Sequence, residues 1–299
     1  MNFNIELQHL ETFLVVSEEM NFRRAAERLN ITQPPLSRQI NRLETALDAK
    51  LFDRDRTSVQ LTDAGRALIT EARQILDRVE RGVQTVQQAS RGEVGQLIVG
   101  FEGSSAYEIV PRLLQIHQKR FPNVDITVRQ MATGMQLQAL RKREIAVGFI
   151  VPFVQDALLT METILREPMI LALPENHLLA QQAEISLLDL VNEDFIVGPR
   201  EKGCGLSERA IAACHNAGFR PKIIQETEEM QITLGFIAVG LGIALLPTSS
   251  QKLQQSGVVY RPISSPKPEI ELAISWLSNN RSNLLQNFIT TVRETIASD

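Results

Sequence analysis

The stretch Thr32-Gln33-Pro34-Pro35-Leu36-Ser37-Arg38-Gln39-Ile40-Asn41-Arg42-Leu43-Glu44 decides how the front of the chain folds. Leu36, Ile40, Leu43 and Leu47 recur at spacings of four, three and four, which is a single stripe along a helix. The opposite face carries Ser37, Arg38, Asn41 and Arg42, all able to hydrogen-bond a phosphate or a base edge. Pro34 and Pro35 open the helix where N–H groups have no intrahelical acceptor anyway. With those N–H groups missing, the Thr32 hydroxyl has little capping work and is open to an external partner such as a phosphate.

Working outward, Leu7, Leu10, Phe13, Leu14 and Ser17 repeat at helical spacing, so a first helix is expected over residues 6–19. Asn21 can cap a second, carrying Arg23, Ala25, Ala26, Arg28 and Leu29, with a tight turn at Asn30-Ile31. The small side chains of Ala25 and Ala26 let two helices approach closely, and the pattern is a helix-turn-helix. Beyond it, Leu51-Phe52-Asp53-Arg54 and Val59-Gln60-Leu61-Thr62 read as a small β-wing, with Arg54 and Arg56 placed to reach nucleic acid. The charge is distributed to match. Residues 22–56 hold eight Lys or Arg against five Asp or Glu, or +3, within a chain of net charge −4, which leaves −7 elsewhere. A basic head on an acidic body suits local phosphate contact.

Thr62-Asp63 begins a long helix reaching about residue 90, in which Ala72, Leu76, Val79, Val83 and Val86 repeat at four, three, four and three. That spacing is expected to form a coiled-coil seam between two subunits, because helix-turn-helix proteins commonly read paired half-sites. Arg91-Gly92-Glu93-Val94-Gly95 is expected to be a hinge. From residue 96 apolar strands alternate with helices, the pattern of a mainly parallel α/β sheet, with strands expected over residues 97–101, 125–131, 145–151, 169–173, 195–198, 223–226, 243–246, 258–262 and 271–277. The chain is expected to leave one lobe at residues 152–159 and to return at residues 264–268, giving two lobes around a ligand cleft. The 299 residues thus divide into a winged helix-turn-helix (1–62), a linker helix (63–90) and an α/β part (91–299), the latter with lobe I at about 96–158 and 267–299 and lobe II at about 159–266.

These residues resemble a known family. Residues 22–29 (Phe-Arg-Arg-Ala-Ala-Glu-Arg-Leu), the opening stretch, Leu51-Phe52-Asp53-Arg54 and Leu61-Thr62-Asp63-Ala64-Gly65 look like the N-terminal signature of LysR-type transcriptional regulators. Residues 99–107 (Val-Gly-Phe-Glu-Gly-Ser-Ser-Ala-Tyr), residues 240–247 and Val259-Tyr260-Arg261-Pro262 are similar to the branch that regulates aromatic-acid breakdown and acetoin synthesis. The resemblance spans the chain. It implies a DNA-binding transcriptional regulator with an all-α winged helix-turn-helix, a dimerising helix and a two-lobed α/β effector domain like the type 2 periplasmic binding proteins. It also implies a dimer of dimers on double-stranded promoter DNA, RNA polymerase as a partner when activating, and a small organic acid as effector. Carried over by position, DNA contacts fall to Thr32, Gln33, Pro34, Pro35, Ser37 and Arg38, with Arg23 and Arg42 alongside and Arg54 and Arg56 on the wing. Gln33 and Arg38 have the chemistry for adenine and guanine edges. The plainer alternative is that Arg38 and Arg42 are solvated charges paired with Glu44 or Asp48.

For the cleft, Ser104, Ser105, Thr133 and Gly134 follow strands at helix starts, where free N–H groups favour an anion, and Pro199, Arg200, Cys204 and Gly205 follow a strand of the other lobe. The resemblance matches Ser104 and Thr133 to positions that hold a ligand carboxylate, and Cys204 and Leu206 to positions facing it from the second lobe. All of these also serve as ordinary helix caps in other proteins. Cys204 stands where the family usually has proline; a thiol there could be acidified by the helix and sense oxidants. Ten residues of helix would hold it about 15 Å from Cys214, too far for a disulfide.

Other classes fit poorly. No nucleophile elbow, phosphate loop or metal-binding His pair occurs, so neither an enzyme nor a bound cofactor or metal is expected. No export signal or eighteen-residue apolar run appears, so a cytoplasmic protein without a membrane partner is expected and a solute-binding protein for transport is disfavoured. A constitutive DNA-binding regulator with a vestigial cleft is the main rival.

Overall fold

The computed structural model describes residues 4–55, 58–103 and 109–298, which form two compact units, residues 1–88 and 89–299. In the first unit, α1 (Leu7–Glu19), α2 (Phe22–Arg28) and α3 (Gln33–Leu47) precede a two-stranded wing, β1 (Phe52–Arg54) and β2 (Val59–Leu61), and the long α4 (Asp63–Arg91). Leu36, Ile40 and Leu43 are fully buried, as the stripe requires, against Phe13 and Val16 of α1 and Ala25 and Ala26 of α2. The α1 stripe is shifted from expectation: Leu7 is exposed, while Thr12 and Val16 are buried. Asn21 caps α2 by accepting the N–H groups of Arg23 and Arg24 at 2.9 and 3.1 Å. Gly65 is obligatory, since a Cβ there would lie 2.2 Å from the Leu51 carbonyl oxygen. Thr62 completes the joint, donating to the Lys50 carbonyl oxygen and accepting from Gly65 N–H.

The second unit contains β3 (Val94–Phe101), α5 (Ile109–Arg120), β4 (Asn123–Gln130), α6 (Thr133–Arg141), β5 (Val147–Ile150), β6 (Leu159–Pro174), β7 (Asp194–Val197), α7 (Gly205–Asn216), β8 (Lys222–Glu226), α8 (Met230–Ala238), β9 (Ala244–Pro247), β10 (Val258–Pro262), β11 (Glu269–Leu277) and α9 (Asn283–Ala297). The sheet runs β10-β6-β11-β5-β3-β4, with β9 also on β6. It is mixed rather than mainly parallel: β3 pairs parallel with β4 and β5, but β11 and β6 run antiparallel to every partner. The expected short strand at 169–173 is the far end of the sixteen-residue β6. Residues 159–168 of β6 pair with β11 in lobe I, and residues 169–174 pair with β9 and β10 in lobe II. One continuous strand therefore makes the outward crossover, and residues 263–268 make the return.

Each lobe has its own core, the first around Val99, Leu113, Phe149, Trp276 and Phe288, the second around Leu171, Leu173, Phe195, Cys214 and Leu245. Asn283 donates to the Ser90 carbonyl oxygen, and Asn287 to those of Arg91 and Gly92, so α9 satisfies carbonyls that the end of α4 leaves open.

Candidate nucleic-acid interface and ligand cleft

Thr32, Gln33, Pro34, Arg38, Asn41 and Arg42 are exposed along one side of α3 and its approach, with Pro35 and Ser37 half-buried beneath them. Thr32 is the N-cap, is exposed and makes no side-chain cap bond, as expected where two prolines open the helix. Arg23 is exposed and lies 3.6 Å from Glu27 on its own helix. Other ion pairs of the unit run from Arg24 and Arg28 to Glu18 and Glu19, from Arg73 to Glu18, from Arg66 to Asp63, and from Lys50 and Arg54 to Glu44. Among the described residues Glu44 is paired with Lys50 and Arg54 and not with Arg38 or Arg42, which are exposed.

Glu44, weighed from the sequence only as a partner for Arg38 and Arg42, holds the start of the wing instead. It is 4% exposed and accepts N–H groups from Leu51 and Phe52 at 2.9 and 3.3 Å, with Lys50 at 3.1 Å. Burial pushes its carboxyl up, but the Leu51 N–H, Lys50, the Phe52 N–H and Arg54 outweigh that and hold it below the ordinary carboxylate range. Arg54 points back onto the unit rather than outward, stacked 4.5 Å over Phe22, 3.2 Å from Asn41 Oδ1 and 3.6 Å from Glu44. It ties the wing to Asn41 of α3. Arg56 lies outside the described residues.

In the second unit the parallel strands β3, β4 and β5 end beside one another, and the residues just after them face lobe II. Thr133 at the start of α6 is fully buried, its hydroxyl accepting Val151 N–H at 3.0 Å. Gly134 touches the other lobe: its N–H donates to the Gly203 carbonyl oxygen at 2.8 Å. Across the cleft stand Cys204, Gly205 and Leu206, which begin α7. Between these two helix starts lies a carboxylate of the chain itself, that of Glu102. One oxygen accepts the Thr133 hydroxyl, Thr133 N–H at 3.1 Å and Gly205 N–H at 3.4 Å; the other accepts Leu206 N–H at 3.1 Å and the Cys204 thiol at 3.2 Å. The expected site residues Thr133, Cys204 and Leu206 thus do converge, on an anion that sequence reasoning passed over. The available signal was an acidic residue directly after the apolar run Leu97-Ile98-Val99-Gly100-Phe101.

The remaining expectations divide. Arg200 is held on its own lobe by Glu226, at 2.7 Å from Nε and 3.1 Å from its backbone N–H, and this contact keeps the Glu226 carboxyl below its usual range. Pro199 supplies only backbone beside it. Ser104 and Ser105 lie outside the described residues. The expected acidification of Cys204 is reversed: burial, and next the Glu102 carboxylate, push its thiol up to about 12. Cys214 is pushed up to about 11 by burial, and both are free thiols. A buried amide, Gln136, ties α6 to the sheet through the Met131 and Phe149 carbonyl oxygens. The pocket wall next to Glu102 includes Ser207, Thr227, Glu228, Glu229, Met230 and Thr233.

A helix presented for the major groove, a basic front and a two-lobed domain closing around a carboxylate-shaped set of donors define a ligand-responsive DNA-binding regulator. Comparison with known proteins agrees at both ends of the chain. The bacterial regulatory helix-turn-helix model of the lysR family matches residues 7–66, and the LysR substrate binding domain model matches residues 90–297. The chain belongs to the LysR family of transcriptional regulators. It is 37% identical over 285 residues to the HTH-type transcriptional regulator AlsR of Bacillus subtilis, covering 95% of this chain and 94% of that one. With BenM of Acinetobacter baylyi it shares 30% identity over 295 residues, 98% and 97% of the two chains. Full-length CbnR solved with its target DNA superposes at a TM-score of 0.84 with 25% identity, covering 98% of this chain and 100% of that one.

Proposed function

We propose that this regulator reads promoter DNA with Thr32, Gln33, Ser37, Arg38 and Arg42, approached by Arg23 and the two prolines, while Arg54 positions Asn41. It works in the cytoplasm as a dimer of dimers paired through α4, and contacts RNA polymerase when it activates. Its signal is a small organic acid taken up between the lobes, at the starts of α6 and α7. The observation that carries the ligand class is the donor set itself: Thr133, Gly205 and Leu206 already surround a carboxylate, that of Glu102. An acid effector occupies that place when Glu102 swings out of it.

Two measurements test the reading. Arg38→Ala should weaken operator binding by roughly 1–3 kcal/mol and blur base discrimination at one position. An unchanged ratio of operator to random-DNA affinity removes Arg38 from the base-reading set. Thr133→Ala should keep operator affinity but abolish acid-dependent transcription from a promoter reporter; a normal response would move the effector elsewhere. The buried Glu102 also favours a second reading, a constitutive regulator whose cleft is permanently filled by its own side chain. A thermal-shift screen of organic acids separates the two, since a ligand at a hundredfold its dissociation constant adds about 2.7 kcal/mol of stability.

A further inference from the structure

We propose that Glu102 is a resident ligand of the cleft, a tethered carboxylate that fills the anion site, bridges the two lobes and keeps small monocarboxylates out. The proposal rests on the reading of the cleft as the effector site. Its first support is geometric. Glu102 is only 5% exposed, and its two oxygens are divided between donors of both lobes, Thr133 from lobe I and Cys204, Gly205 and Leu206 from lobe II. Backbone N–H groups at two helix starts, a hydroxyl and a thiol are the surroundings an enclosed free carboxylate would need.

The second support is the distribution of charge. The cations at the start of α7 are committed: Arg200 to Glu226, Lys202 to Glu228, and Arg209 to the Pro152 carbonyl oxygen. Among the described residues, the pocket wall beyond Glu102 adds Glu228 and Glu229 and no Lys or Arg. An additional anion beside Glu102 would meet like charge in a partly dry site, so a free acid enters only in exchange for the resident one.

The third support is concentration. A group on the same chain meets its site at an effective concentration in the millimolar range or above, which a dissolved competitor must match. The lobes are also drawn together backbone to backbone beside the carboxylate. A Cβ on Gly205 would lie 2.1 Å from the Val151 carbonyl oxygen, so the backbones meet there without room for a side chain.

Replacing Glu102 by Ala removes a CH2–COO− fragment, the shape of acetate. Full-length Glu102→Ala should melt lower than the parent and recover saturably with acetate against chloride at equal ionic strength, while the parent shows no acetate shift. Absence of recovery in Glu102→Ala, or an equal acetate shift in the parent, overturns the proposal. Glu102→Gln keeps the shape but turns one oxygen into an amide N–H2 facing N–H donors. It should show no acetate recovery, and the amides of Thr133 and Leu206 should exchange with deuterium at least tenfold faster than in the parent. Unchanged exchange at both would also overturn the proposal, even if Glu102→Ala failed to fold. These readouts use protein without DNA. A parent that ignores every organic acid in the promoter assay therefore refutes the effector reading and leaves the acetate result to stand or fall separately.

Discussion

The hydroxyl of Thr291 has one proton, and it goes to the Asn287 carbonyl oxygen at 2.9 Å. His117 Nδ1, 3.0 Å from the same hydroxyl, must then be the donor in that contact, which leaves Nε2 bare. Nε2 is buried without a hydrogen-bond partner among the described residues, and the ring packs against Phe121 and Phe288 at 4.8 and 5.0 Å. Protonating it would place a charge among aromatic rings, so burial, helped by Arg120, lowers the His117 pKa to about 4. The folded value lies below the unfolded one, so the native state binds fewer protons between them. The stabilising contribution is complete above about pH 6.5 and is lost as pH falls toward about 4. Unfolding by urea, followed at Trp276 in the same core, should show the parent losing about 2 kcal/mol more than His117→Asn between about pH 7 and pH 5. Equal losses would mean that His117 is protonated in the folded protein.

α4 shows how far an element can be read from its periodicity. The five seam positions were legible as one stripe, but they separate by burial. Ala72 is fully buried and Leu76 packs beside it in the core of the DNA-binding unit, whereas Val79, Val83 and Val86 are 38%, 51% and 69% exposed, with Ile75 at 43%. A stripe has one spacing whether it covers the chain's own core or a partner, so sequence could not divide it. The same limit explains β6. A strand passing from one lobe to the other changes partners midway, and Thr163, Arg166 and Glu167 interrupt the apolar pattern where it crosses. α3, by contrast, was readable as a helix to within a residue of its start, because its prolines, stripe and polar face all follow from local geometry. For α4 the exposed end is the expected dimer seam. Burying a valine contributes about 1.5–3 kcal/mol, so Val83→Lys/Val86→Lys should raise the dimer dissociation constant at least about a hundredfold in sedimentation experiments. The melting of the DNA-binding core should be unaltered. A dimer of parental strength would place the pairing surface elsewhere.

At the scale of the molecule, the proposed response requires the lobes of the second unit to part, and beside the Glu102 bridge a contact that opposes parting is made of backbone. Such contacts leave little trace in sequence. Gly134 reads equally as a helix start or a ligand contact, and Glu102 as a solvated charge, until the fold brings both against lobe II. Gly134 N–H donates to the Gly203 carbonyl oxygen, and a Cβ on Gly134 would lie 2.8 Å from the Lys202 carbonyl oxygen and 3.1 Å from Gly203 Cα. Gly203 cannot easily yield, since its φ of +66° already suits glycine alone. Gly134→Ala should therefore destabilise the closed unit by about 1–3 kcal/mol, as overpacking does, despite the better helix propensity of alanine. Gly235 supplies the control. It lies within α8 with nothing within 4 Å of its Cβ position, so Gly235→Ala should be neutral or stabilising by up to about 1 kcal/mol. Both changes can be followed in the full chain by urea unfolding at Trp276. If the lobes rest apart in solution, Gly134→Ala has nothing to strike and should behave like Gly235→Ala. A difference of the expected sign means that the closed arrangement is the resting one, from which an effector must first release Glu102.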